Sequence, residues 1–154
     1  MKTLFAVLGR ILLSLIFILS GIGKIFDWPG TESYLINALC DLLNYTQSIV
    51  WAQDLLQMAI PVTPQLLIVA TIFELLGGVM MFFGIQVRFA AFLLSAFLIP
   101  VTLTFHHFWF LEGPDRQLQM IMFLKNLSIL GGLFYILGVG KGSSSSPKKA
   151  KESD

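Results

Sequence analysis

Four runs of apolar residues, at positions 4–25, 66–85, 89–110 and 118–137, each reach the ~20 residues that a helix needs to cross about 30 Å of hydrocarbon. None shows the alternation of apolar and polar positions expected of a membrane barrel strand, and Leu, Ala and Met are common in them. The pattern predicts an all-α membrane protein, a bundle of four transmembrane helices.

A long connection from Phe26 to Gln65 separates the first two runs. In it Leu35, Leu39, Leu42 and Leu43 form a helical stripe opposite Asn37 and Asp41. A second stretch carries Ile49, Trp51, Leu55, Leu56 and Ala59, and Pro61 and Pro64 are expected to stop it. Trp28, Tyr34, Tyr45 and Trp51 suit the headgroup level, so one or two interfacial helices are expected there. Residues 1–140 then make one four-span domain. Residues 141–154, with Gly142-Ser-Ser-Ser-Ser-Pro-Lys-Lys, read as a disordered Ser/Lys tail.

Lysine and arginine set the orientation. Lys2, Arg10, Arg88 in the turn Gln86-Val87-Arg88, and Lys141, Lys148, Lys149 and Lys151 fall on one side. Asp27, Glu32, Asp41, Asp54, Glu112 and Asp115, with Arg116, fall on the other. Both termini are therefore expected in the cytoplasm. Arg10 interrupts the first run, which is also longer than the ~7–15 residues of a signal-peptide core, so a span is expected and not a cleaved leader.

Composition sharpens this. The 154 residues are 56% hydrophobic and 12% charged, against about 25% charged in soluble domains. That excludes a water-soluble globule, a disordered chain and a nucleic-acid binder. The single cysteine, Cys40, excludes an internal disulfide or dithiol centre.

Each span carries one polar or small-residue stripe: Arg10, Ser14, Gly21 and Lys24; Thr71, Glu74 and Gly78; Arg88, Ser95, Thr102 and His106; Lys125, Ser128, Gly132 and Tyr135. Helical spacing puts each set on one face, so the four faces are expected to converge. Gly77, Gly78, Gly131 and Gly132 read as close helix contacts, and Pro100 as a kink. At ~1.5 Å per residue, Glu74 lies ~12 Å and Lys125 ~10 Å from the outer ends, with Arg10 ~9 Å from the inner side. Glu74 is therefore expected to pair with Lys125, with Arg10 as competitor. Two readings stay open: a structural ion pair that fixes helix register, and a polar pocket that binds a head group or relays protons. Of the adjacent histidines, the stripe selects His106 for the bundle and leaves His107 to the interface. Two such neighbours make no metal site by themselves.

The run Arg10-Ile-Leu-Leu-Ser14 continuing to Ser20-Gly21-Ile-Gly-Lys24-Ile-Phe-Asp27 resembles the opening of the DoxX-like (DoxX/DoxD) membrane proteins. Phe73-Glu74-Leu-Leu-Gly77-Gly78, then Gly84, Arg88 and His106, and Lys125-Asn126-Leu-Ser-Ile-Leu-Gly131-Gly132 follow in the same order. The resemblance implies a small four-helix protein of the bacterial cytoplasmic membrane. It also implies membrane oxidoreductase work, the founding type resembling a subunit of a thiosulfate:quinone oxidoreductase. Matching positions are Arg10, Lys24, Glu74, Arg88, His106 and Lys125. The long outer connection and the tail depart from the pattern.

The chain itself carries no flavin, haem, iron–sulfur or dithiol motif, so electrons would come from partner subunits. The first expectation is a partner-dependent oxidoreductase subunit that binds a quinone, with the lipid bilayer, redox proteins and a homo-oligomer as partners. A small-solute or proton carrier and a structural or assembly protein with an inert ion-paired core are the alternatives.

Overall fold

In a computed structural model the fold is described for residues 2–139, and for side chains from residue 4 onward. The expected tail lies outside that range. Every described element is helical: α1 (Lys2–Phe26), α2 (Trp28–Tyr45), α3 (Val50–Ala59), α4 (Thr63–Phe83), α5 (Val87–Phe105) and α6 (Gly113–Val139), with 3-10 turns at Ile60–Val62 and Phe108–Phe110. Four segments are long and apolar enough to cross a membrane: Leu4–Phe26, Val50–Phe83, Val87–Phe110 and Gly113–Val139. Their broad lipid-type faces remain exposed, as at Leu12, Ile72, Phe92 and Leu127.

The long connection folds into both candidate helices. Asp27 caps α2 by accepting from the Gly30 N–H, with Pro29 in the first turn, where a missing N–H costs nothing. Gln53 on α3 donates to the Leu43 carbonyl at 2.6 Å, tying α3 to the end of α2. α3 ends at Ala59, ahead of Pro61, as the sequence predicts, and Pro64 opens the next helix. It stands in the first turn of α4, for the same reason that suits Pro29.

We call the end covered by α2 the outer end. At the inner end the turn is Gly84-Ile85-Gln86, and Val87 and Arg88 already belong to α5. Gly84 adopts φ +74°, and the N–H groups of Gly84 and Ile85 close on the Met81 and Met80 carbonyls. That left-handed closure favours glycine.

Packing runs in series, α1 on α4, α4 on α5 and α5 on α6. Glycines permit the close approaches: a Cβ on Gly77 would lie 2.8 Å from Leu94 Cγ, and one on Gly78 would lie 3.0 Å from Ile18 Cγ1. The core, with Phe17, Met81, Ala90, Leu94 and Leu133, fills the inner and middle levels. The outer half between the helices is left for a cavity.

Candidate functional site

Glu74 is 2% exposed, and its Oε2 accepts from Lys24 Nζ at 2.5 Å. Lys24 also donates to Ser20 Oγ at 2.8 Å and stands 5.4 Å above the Phe97 ring. A carboxylate, a hydroxyl and an aromatic face thus surround the ammonium, which is how a charge is held at low dielectric. Among the described residues this is the one ion pair.

The expected Glu74–Lys125 pair is therefore replaced. Side chains on a helix lean toward its N-terminus. α1 begins at the inner end, so Lys24 leans down into the bundle, while α4 begins at the outer end, so Glu74 leans up to meet it. Lys125 is exposed, because α6 turns Asn126 and Leu133 inward in its place. The hydrogen-bond partner of Lys125 is the Met122 sulfur at 3.5 Å.

Arg10 does not compete either. Its guanidinium packs against Gly84 at the C-terminus of α4, with Nε buried and unpartnered. Arg88 Nε donates to the Leu137 carbonyl at 2.9 Å, at the C-terminus of α6. Each arginine thus places positive charge where a helix dipole is negative.

The pair lines a cavity of about 350 Å³ bounded by α1, α2, α4, α5 and α6. Its walls are mostly apolar, with Phe97, Phe105 and Tyr34 as aromatic faces, and with Ser20, Lys24, Glu74, His106, Lys125 and Asn126 as polar groups. Ile16, Ser20 and Lys125 are exposed on the outside of the bundle, so the mouth lies between α1 and α6, facing the acyl-chain side.

The stripes on α1 and α4 converge as expected, with Ser14, Gly21, Thr71, Glu74 and Gly78 buried. On α5, Ser95 and Thr102 are buried and Arg88 is exposed. On α6 the expectation fails: Lys125, Ser128 and Tyr135 are exposed, and the buried residues are Asn126 and Leu133. The inward face is turned by one residue, about 100°. Asn126 Nδ2 donates to Thr102 Oγ1 at 3.0 Å, fixing α6 on α5 through a contact that the sequence reading did not single out.

His106 turns to the cavity, and His107, expected at the interface, is buried. α5 ends at Phe105, so the helical argument no longer separates them. His107 is buried against Tyr45 and Phe110, its Nδ1 3.0 Å from the Thr104 carbonyl. His106 is half-buried and lines the cavity, with Nδ1 2.7 Å from Gln119 Oε1. On the far side of that bond lies a second chamber of about 250 Å³, lined by Asn37, Asp41, Tyr45, His107, Asp115 and Gln119 among others. The stacked rings of Tyr34 and Phe105, 4.9 Å apart, face both spaces. Among the described residues no group of three His, Cys, Asp or Glu side chains is placed to hold a metal.

The sequence model of the DoxX family matches residues 5–107, from α1 to the end of α5. The inner membrane protein YqjF of Escherichia coli is 28% identical over 137 residues, 89% of this chain and 85% of that protein. The inner membrane protein YphA of Escherichia coli is 25% identical over 138 residues, 90% and 84% of the two chains. The ER-derived vesicles protein ERV29 of Saccharomyces cerevisiae is 29% identical over 80 residues. That match spans 52% of this chain and about a quarter, 26%, of the yeast protein. No solved structure matches the chain.

Proposed function

The chain belongs to the DoxX family of multi-pass membrane proteins, and from that premise we propose that it is the membrane subunit of an oxidoreductase system whose cavity binds a quinone. The observation that carries the reading is Lys125. It is a cation with no carboxylate partner among the described residues, set at the mouth of a mostly apolar chamber with aromatic faces.

A quinone has a flat ring, carbonyls that accept hydrogen bonds and an apolar tail. Phe97, Phe105 and Tyr34 offer faces to such a ring, and Lys125 offers N–H donors to a carbonyl. The volume falls within the ~300–1,000 Å³ usual for small-molecule sites. When bound, the quinone supplies two-electron, two-proton carrier chemistry, with the electrons coming from a partner protein. The protein's own residues position the ring, and the mouth between α1 and α6 admits it from the lipid.

The proposal extends to placement. Arg10, Arg88 and the Lys-rich tail put the inner end and both termini in the cytoplasm. Residues 1–140 act as the membrane domain, ahead of a tail at 141–154.

The test is mass spectrometry of small molecules that copurify with the chain from native membranes. An isoprenoid quinone present in the wild type and lost on Lys125→Met supports the reading, and its absence from the wild type sinks it. A structural reading has one observation in its favour, the complete coordination of Lys24. It requires Lys125→Met to be silent.

A further inference from the structure

We propose that the cavity prefers the reduced, hydroxyl-bearing form of its ligand, and that Gln119 sets this preference through His106. The inference rests on the reading of the cavity as a quinone site.

His106 Nδ1 lies 2.7 Å from Gln119 Oε1. An amide oxygen only accepts, so the hydrogen resides on Nδ1 and donates to it. In the neutral imidazole, Nε2 is then a bare acceptor. His106 lines the larger cavity, whereas Gln119 lines the outer chamber. The ring therefore bridges the partition, with its Nδ1 edge anchored outward and its other edge left to the cavity. Glu74 adds a second acceptor, since its carboxylate engages Lys24 through Oε2.

The polar wall holds hydroxyl and ammonium donors in Ser20, Tyr34 and Lys125, and beside them His106 Nε2 is an acceptor whose direction the Gln119 bond fixes. A quinol donates through its hydroxyls and satisfies such an acceptor. A quinone only accepts, so it leaves His106 Nε2 without a partner, and an unpaired buried polar group is what discriminates between isosteric ligands. Gln119 acts as a positioning residue. It touches no ligand and fixes which nitrogen of His106 is bare.

The full chain in lipid nanodiscs is titrated with a short-chain benzoquinol and with the matching benzoquinone. The wild type is expected to bind the quinol about tenfold more tightly, and Gln119→Leu, which removes the anchoring acceptor, is expected to narrow this to within about twofold. Equal or quinone-favouring binding by the wild type overturns the inference and leaves the quinone site standing. Failure to bind either form overturns the site reading and the inference with it. A Gln119→Leu protein that keeps the wild-type preference also overturns it. The ¹⁵N spectrum of histidine-labelled protein, with His106 assigned by loss of its signal in His106→Gln, gives a readout free of ligand and of the Gln119 variant. It is expected to show Nδ1 protonated, and an Nε2–H tautomer in the wild type overturns the inference.

Discussion

Lys24 Nζ and Glu74 Oε2 meet at 2.5 Å across 50 residues of sequence, joining α1 to α4 inside the bundle. Removing one partner leaves the other charge buried alone, which typically costs about 3–5 kcal/mol. Lys24→Met and Glu74→Leu should each lower thermal stability in detergent sharply. The double change Lys24→Met/Glu74→Leu should recover most of the loss, because an apolar pair of similar size replaces the ions. Additive losses in the double variant would show that the two residues are not coupled.

Lys125 has no such stake in the fold. Its exposed side chain has a weak sulfur contact and no ion pair among the described residues. Lys125→Met should leave the melting temperature within about 2 °C of wild type while abolishing retention of a copurifying quinone. A large fall in stability would assign it a structural role instead.

Gly77 and Gly131 make a matched pair. A methyl on Gly77 would meet Leu94 at 2.8 Å and the Ala90 carbonyl at 3.3 Å, whereas Gly131 has nothing within 4 Å. Gly77→Ala should destabilise the chain by about 1–3 kcal/mol through overpacking. Gly131→Ala should be neutral or slightly stabilising, since alanine is the better helix former. Unfolding curves of both variants in one detergent decide this, and equal stabilities would contradict the observed α4–α5 contact.

Arg88 holds the last turn of α6 through the Leu137 carbonyl. Arg88→Gln should cost about 1 kcal/mol, with faster amide exchange confined to residues near 133–139. Exchange that rises evenly along α6 would contradict a local role.

Much of the fold was legible because hydropathy reports directly on the membrane as solvent. The four spans and both helices of the long connection follow from stretch length and helical spacing. Rotation was harder to read. On α6 the polar stripe of Lys125, Ser128 and Tyr135 suggested an inward face, yet a lysine can stand exposed while its neighbour Asn126 carries the contact to Thr102. The ion pair was half legible. Depth counted along the helix axes matched Glu74 with Lys125, whereas the lean of side chains toward helix N-termini brings Lys24 down to Glu74. His106 and His107 were assigned as helical neighbours, and the end of α5 at Phe105 removed that premise. Phe97 and Gln119 had no signal of their own, whereas Tyr34 read as a headgroup-level aromatic and Ser20 as part of the motif around Lys24.

The serial packing of the long helices binds them like the leaves of a book, with α4 and α5 as the spine and α1 and α6 as the covers. Where the covers meet, the contact is light, as at Leu13, whose Cδ1 stands 4.0 Å from the Cβ position of Gly132. Parting them would uncover Phe17 on one cover and Leu133 on the other, both buried in the core, so the inner half of the seam is held by the protein's own packing and only the outer half is left open to lipid.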